Sequence, residues 1–182
     1  SLRRQIRRDR TLLGDTPSSR MTEEIFKLLN TGNAHGIVSK LSELGLYDAV
    51  LPSQAELMKR SGAYRTQVFN RLQLLDEKRR ERGPLERADL LVFATADYLL
   101  DHSPFADQKR IPFRDAYYAL KEFLSPITPA NREVETAVNE IFRNKGRLLR
   151  DEPPEHLDGD RRPRRRRRRR RKKPSTGQSA DG

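Results

Sequence analysis

The chain lacks the residues around which most catalytic and metal sites are built. It has no cysteine among 182 residues, which excludes disulfide bonds, a thiol nucleophile and cysteine-ligated zinc. Its three histidines, His35, His102 and His156, lie in separate segments, which argues against a hydrolytic triad or a histidine metal site. No glycine-rich phosphate loop is present. The sequence therefore predicts no catalytic residue, no metal ligand and no cofactor in this chain.

Long apolar runs are also missing. No stretch reaches the ~18 residues that a membrane span needs. The first ten residues hold five arginines and lead into no apolar core, so they do not form a signal peptide. We therefore expect a cytoplasmic protein without a membrane partner. The chain begins at Ser1 within a helical pattern, which suggests a piece of a longer protein.

Positive charge is abundant, but it lies at the two ends of the chain. The segment from Arg161 to Lys173 holds 12 of the 38 lysines and arginines and no acid. Between Thr11 and Asp160 there are 21 basic and 24 acidic residues, a net charge of −3. The formal net charge of +12 therefore describes the ends of the chain and not its central part.

Apolar residues recur with helical spacing through most of the chain. Met21, Ile25, Leu28 and Leu29, for example, follow the i, i+4, i+7, i+8 pattern of a buried helix face. The pattern predicts about seven helices and no sheet, including a basic first helix over residues 2–13 and a long polar one over residues 54–82 with a candidate break at 61–62. We predict an all-α, multi-helix body followed by a disordered basic C-terminal tail.

The segment DEPPEHLDGD, residues 151–160, has acid, proline and glycine without an apolar period and is typical of a disordered linker. Asp158 and Asp160 could suggest a magnesium site. A solvated pair beside the arginine run is the favoured interpretation, so we predict no metal here.

The arginine-rich run RRPRRRRRRRRKKP is the strongest functional signal. Consecutive arginines repel one another, but they can follow a phosphate backbone and release its counterions, and they stack on unpaired bases. Single-stranded RNA is therefore the favoured partner, with a solubilising end, a nuclear-import signal and an acidic-membrane anchor as alternatives. The predicted nucleic-acid contacts of this run are Arg161, Arg162, Arg164, Arg165, Arg166, Arg167, Arg168, Arg169, Arg170, Arg171, Lys172 and Lys173.

Two smaller basic sets could also contact nucleic acid. The arginines Arg3, Arg4, Arg7 and Arg8 fall on one face of the predicted first helix. Arg79 and Arg80 belong to a cluster that ends the polar helix, where cations also interact favourably with the helix dipole. For this second set a purely structural role is at least as favoured as RNA binding.

The run TPSSRMTEEIFKLLNTGNAHGIVSKLSELGLYDAVLP resembles the region after the catalytic head of class II nucleotidyltransferases, the bacterial poly(A) polymerases and tRNA nucleotidyltransferases. The matching features are Arg20, Glu24, the KLL helix, Gly32 and the segment from Leu46 to Pro52. A looser likeness to the poly(A) polymerase body follows in HSPFADQKRIPFRDAYYALKEFLSPITPANRE, so the resemblance extends over about residues 2–173. An arginine-rich tail after an acidic linker is typical of the bacterial poly(A) polymerase branch.

The resemblance implies three parts: neck helices over residues 1–51, a helical RNA-binding body over residues 52–150, and the linker and tail over residues 151–182. It implies a transferase that adds AMP from ATP to RNA 3′ ends without a template, in mRNA processing. Magnesium and ATP are expected in a catalytic head that this chain lacks, so we predict that the chain alone is inactive. The family motif maps to Arg20 and Glu24, which would brace the neck. Implied partners are single-stranded RNA 3′ ends and RNA-decay proteins.

Two alternatives stay open. A fragment of a tRNA CCA-adding nucleotidyltransferase would share the helical layout, although the tail argues against it. A stand-alone helical RNA-binding or adaptor protein would need no catalytic head.

Overall fold

The computed structural model describes residues 16–143 and, for the backbone, residues 148–149. The predicted first helix, the acidic linker and the arginine-rich tail lie outside the described residues. The arginines at positions 3, 4, 7 and 8 and the basic residues of 161–173 therefore have no structural account.

The described residues form eight α-helices and one π-helix, which confirms the predicted all-α class. The α-helices are α1 (Ser18–Leu29), α2 (Ala34–Leu44), α3 (Tyr47–Val50), α4 (Pro52–Arg60), α5 (Gly62–Arg82), α6 (Arg87–Asp97), α7 (Phe113–Leu124) and α8 (Asn131–Phe142). The π-helix spans Tyr98–His102, between α6 and α7.

The described residues contain more helices than the sequence predicted. Two segments account for the difference. The polar segment of residues 54–82 breaks at Ser61, as its sequence indicated, into α4 and α5. Ser61 has an extended backbone, and its hydroxyl accepts a hydrogen bond from the Tyr64 amide at 3.1 Å, which caps α5. The apolar segment LYDAVLP, whose sequence predicts a turn ending at Pro52, contains the short helix α3, and Pro52 opens α4 at its first turn.

A small element of sheet was not predicted. Strand β1 (Ile111–Pro112) pairs in parallel with β2 (Leu148–Leu149). Two residues per strand are too few to produce an alternating sequence pattern.

One hydrophobic core connects the helices of the described part. Helix α6 lies between α5 and α8 and also packs on α1, and its Leu90 and Leu91 are almost completely buried. The buried cluster runs from Met21 in α1 to Phe142 in α8 and crosses the predicted boundary at residues 51 and 52. The division into neck and body therefore stays a prediction.

A buried glutamine joins four helices inside this core. Gln54 of α4 accepts a hydrogen bond from the Tyr47 hydroxyl of α3 and donates to the Tyr64 hydroxyl (3.2 Å) and the Ala94 carbonyl (2.7 Å). Burial raises the pKa of both tyrosines, so both phenols stay protonated. The network satisfies the polar groups of three buried side chains and fixes the register of α3, α4, α5 and α6.

None of the described helices has the length and apolar content that a membrane crossing requires.

Candidate nucleic-acid interface

A basic groove lies where the C-terminal ends of α1 and α5 meet the start of α6. The cavity measures about 390 Å³, and three of its side chains, Lys27, Arg79 and Arg87, are cationic. Glu23 is the one acid in its wall. The residues that line this basic groove are Glu23, Phe26, Lys27, Asn30, Thr31, Arg79, Pro84, Arg87 and Leu90.

The turn between α1 and α2 brings the predicted arginine pair into the site. Gly32 has a φ of +82°, a conformation that favours glycine. A Cβ at this position would lie 3.6 Å from Arg79 Cγ and 3.8 Å from Arg80 Cγ, so both side chains rest on the turn. Arg79 Nε also donates to the Asn30 carbonyl at 2.8 Å, at the C-terminus of α1. Arg79 thus complements the end of a different helix from its own, whereas Arg80 Nε donates to the Asp76 carbonyl of its own helix at 3.2 Å.

Asp76 fixes the face of α5 that presents these arginines. Its carboxylate is buried and accepts hydrogen bonds from the backbone amides of Ala34 (2.6 Å) and His35 (3.0 Å), at the N-terminus of α2. Residues 76, 79 and 80 are three and four positions apart and share one helix face. The Asp76 cap therefore sets how Arg79 and Arg80 meet the α1–α2 turn.

Asn30 closes the other side of the groove. Its amide donates to the Leu85 carbonyl at 3.0 Å, and its side-chain oxygen accepts from the Leu85 amide at 3.1 Å. This two-way contact holds the connection between α5 and α6 against the end of α1. Neither Asp76 nor Asn30 was singled out in the sequence, because an acid or amide on a polar segment gives no sign of being buried.

Arg87 is largely neutralised by its neighbours. Its guanidinium hydrogen-bonds Glu23, lies 3.6 Å from Glu133 and sits 4.9 Å from the centre of the Phe26 ring. The hydrogen bond that Arg87 donates to Glu23 raises the pKa of Arg87, with a smaller contribution from Glu133. We therefore assign the anion-binding capacity of the groove chiefly to Lys27, Arg79 and Arg80.

The predicted neck motif lies on the exposed side of α1. Glu24 pairs with Lys27 at 2.8 Å, and this hydrogen bond lowers the pKa of Glu24. Within residues 16–143, Arg20 and Glu24 form no ion pair with each other. Their bracing role stays a prediction.

No group of three or more histidines or carboxylates in the described part of the chain is arranged to hold a metal ion.

Comparison with known proteins found one similarity, at the N-terminal end of the chain. Residues 1–58 match a family model described as the probable RNA- and SrmB-binding site of polymerase A. A search of curated proteins and a search of solved structures each found no match.

The match includes α1, α2, α3 and most of α4, and with them the turn on which Arg79 and Arg80 rest. The N-terminal part of the chain is therefore an RNA-binding region. It is related to that of poly(A) polymerase, as the resemblance of its sequence predicted.

Proposed function

We propose that this chain is the RNA-holding portion of a polynucleotide adenylyltransferase, which adds AMP from ATP to RNA 3′ ends without a template. The observation that carries the proposal is the position of Arg79 and Arg80 on the α1–α2 turn of the matched region. Magnesium and ATP would supply the transfer chemistry in a catalytic head whose motifs this sequence lacks. The chain itself then positions RNA and is inactive alone.

The basic groove suits the backbone of a single strand. Arg79 uses its Nε on the Asn30 carbonyl, so its terminal amines, which have no partner among the described residues, remain to donate to a phosphate. Lys27, which pairs with Glu24, is an exposed lining residue, and the exposed Arg80 rests on the neighbouring turn, so two further charges lie at this end of the molecule. The residues between positions 11 and 160 carry a net charge of −3, so attraction to phosphate is local to such clusters.

The arginine-rich tail supplies affinity without sequence preference in this proposal. Its 12 cations can follow a strand wherever it leaves the groove. The partners that fit are single-stranded RNA 3′ ends and RNA-decay proteins in the cytoplasm.

A charge-matched pair of double variants tests the role of the groove. Lys27→Ala with Arg80→Ala removes two exposed cations at the groove, and Lys40→Ala with Arg132→Ala removes two exposed cations elsewhere. Each lysine forms an ion pair with a glutamate one turn away, at 2.8 and 2.9 Å, so the two variants also lose equivalent pairs. The tail is retained in both.

For the groove variant we expect roughly tenfold weaker binding of an unstructured RNA at physiological salt. The slope of log K against log salt should fall by about 1.4, the value for two lost phosphate contacts on a single strand. The control variant should bind like the parent chain. Equal losses in both variants would show a non-specific charge effect and would contradict the assignment of the groove.

The predicted inactivity has its own test. The purified chain, incubated with ATP, magnesium and a labelled RNA, should leave the RNA length unchanged on a denaturing gel. Extension of the RNA by homogeneous protein would refute that part of the proposal.

A further inference from the structure

A second concave surface lies on a different set of helices and has different chemistry. This aromatic groove measures about 310 Å³ and is formed by α4, the π-helix and α7. Its lining residues are Ser53, Glu56, Leu57, Arg60, Tyr98, His102, Glu122 and Phe123. Helices α6 to α8 lie beyond the residues matched by the family model.

Its floor is a stacked pair of rings. Tyr98 and Phe123 lie with their centroids 3.6 Å apart and their planes within 5° of parallel. Phe123 is buried, whereas Tyr98 is partly exposed. One face of Tyr98 covers Phe123, and the partly exposed Tyr98 side chain lines the groove.

Contacts at both ends of the π-helix position this floor. The residue before it, Asp97, accepts a bidentate contact from Arg71 of α5, with N–O distances of 2.9 to 3.2 Å. At the other end, His102 packs edge-on against Tyr64 with 4.8 Å between ring centroids. Wide turns of this kind are frequent at functional sites. Here the turn directs Tyr98 and His102, four residues apart, into the same groove.

Carboxylates form the polar part of the wall. Glu56 is paired with Arg60 at 2.8 Å, whereas the exposed Glu122 has no side-chain partner among the described residues. Glu122 lines the same groove as Tyr98. After burial, the charge of Glu122 is the second cause that raises the pKa of Tyr98. An ionised carboxylate only accepts hydrogen bonds, so Glu122 selects for a donor.

We propose that the aromatic groove binds one unpaired base of the RNA, stacked on Tyr98, with Glu122 accepting a hydrogen bond from the amino group of the base. This inference rests on the proposed function. Stacking on an aromatic ring is the common way in which proteins hold unpaired bases. Adenine, cytosine and guanine carry an exocyclic amino donor, whereas the one edge donor of uracil, its N3–H, lies between two carbonyl oxygens that a carboxylate repels. The groove should therefore disfavour uracil.

The test compares oligo(A), oligo(C) and oligo(U) of equal length, bound to the full chain and followed by fluorescence anisotropy. Tyr98→Leu removes the ring, and Tyr98→Phe is the matched control that keeps it. The leucine variant should bind oligo(A) roughly 5- to 100-fold more weakly, with an unchanged salt slope, since no phosphate contact is lost. The phenylalanine variant should bind like the parent chain.

Glu122→Gln provides a second readout that does not depend on the ring stack. The residue is exposed, so the substitution leaves the fold intact. Because an amide can donate to uracil as well as accept, this variant should lose the preference for oligo(A) and oligo(C) over oligo(U).

Four results would overturn the inference. Unchanged binding by the leucine variant, or equal affinity of the parent chain for all three oligomers, would refute the base site and leave the basic groove standing. Displacement of the oligomer by AMP at equal nucleotide concentration would reassign the groove to a free nucleotide. Absence of any RNA binding by the parent chain would refute the proposed function as well.

Discussion

The basic groove and the aromatic groove are built in opposite ways. The basic groove collects charges from helix ends that are far apart in the sequence, with Lys27 on α1 and Arg79 on α5. The aromatic groove has a neutral floor of two rings, Tyr98 and Phe123, and a partly acidic wall. The first suits the phosphate that every nucleotide carries, and the second suits the base. Affinity and selectivity should therefore reside on different surfaces and respond differently to salt.

Deletion of residues 161–173 should produce the largest change in RNA binding, because it removes 12 cations that can contact phosphates. If the parent chain makes about 6–10 phosphate contacts through the tail, its affinity should fall roughly 10³–10⁵-fold between 50 and 200 mM salt. The deleted chain should bind weakly, with a shallow salt slope that belongs to the basic groove and the N-terminal arginines. Titrations of RNA binding at several salt concentrations measure both slopes.

Deletion of residues 175–182 is the control, since this segment is polar and carries a single acid. It should alter neither affinity nor slope. A tail deletion that also leaves both unchanged would make the tail a solubilising segment. The preference between oligo(A) and oligo(U) should survive the tail deletion, because the aromatic groove is intact.

Substitution of Asp76 should damage the basic groove through the fold. Asp76→Ala leaves the amides of Ala34 and His35 without their buried acceptor. The expected loss is about 2–4 kcal/mol in the free energy of unfolding, measured by urea denaturation. The neighbouring Glu77 is exposed, and Glu77→Ala removes the same charge from the same helix as a control. Equal stability of the two variants would contradict the structural role of the Asp76 cap.

The sequence predicted the parts of the molecule that depend on local pattern. The stripe of Met21, Ile25 and Leu29 is buried in α1, as its spacing indicated. The break at Ser61 was visible because serine followed by glycine is a recognisable helix boundary. The short helix α3 was missed, since four residues are too few to establish a helical period.

The candidate sites depended on contacts between distant segments. The sequence showed that Arg79 and Arg80 form a basic cluster, but not that they rest on the turn at Gly32, 47 and 48 positions away. The dipole interpretation concerned the end of α5 and stays a prediction, whereas Arg79 donates a hydrogen bond to the end of α1. Nothing in the pattern indicated that Tyr98 stacks on Phe123, because each ring fits an ordinary core stripe. Pairing across the fold is a tertiary property that periodicity does not encode.

The smallest expected effect concerns the geometry of the aromatic groove itself. Burial, and then the charge of Glu122, hold the pKa of Tyr98 above its ordinary value. Glu122→Gln removes the negative charge of Glu122 and should lower the pKa of Tyr98. Burial should still hold that pKa above the value of a free phenol. A raised folded-state pKa means that stability is fully present below pH 10 and falls as the pH rises through the folded value. The variant should therefore lose this contribution at lower pH than the parent.

An ultraviolet titration of tyrosine ionisation measures the shift, with Tyr98→Phe identifying which step belongs to Tyr98. The buried Tyr117, whose pKa is raised to about 12, should titrate alike in the parent chain and in Glu122→Gln, since neither Glu122 nor Tyr98 is among the causes of its shift. An unchanged Tyr98 step would mean that the carboxylate lies too far from the ring to contact a base stacked there. The selectivity assigned to the aromatic groove would then lose its acceptor, while the basic groove would keep its phosphate contacts. The base selectivity of the aromatic groove thus depends on the proximity of Glu122 to Tyr98, whereas phosphate binding in the basic groove does not.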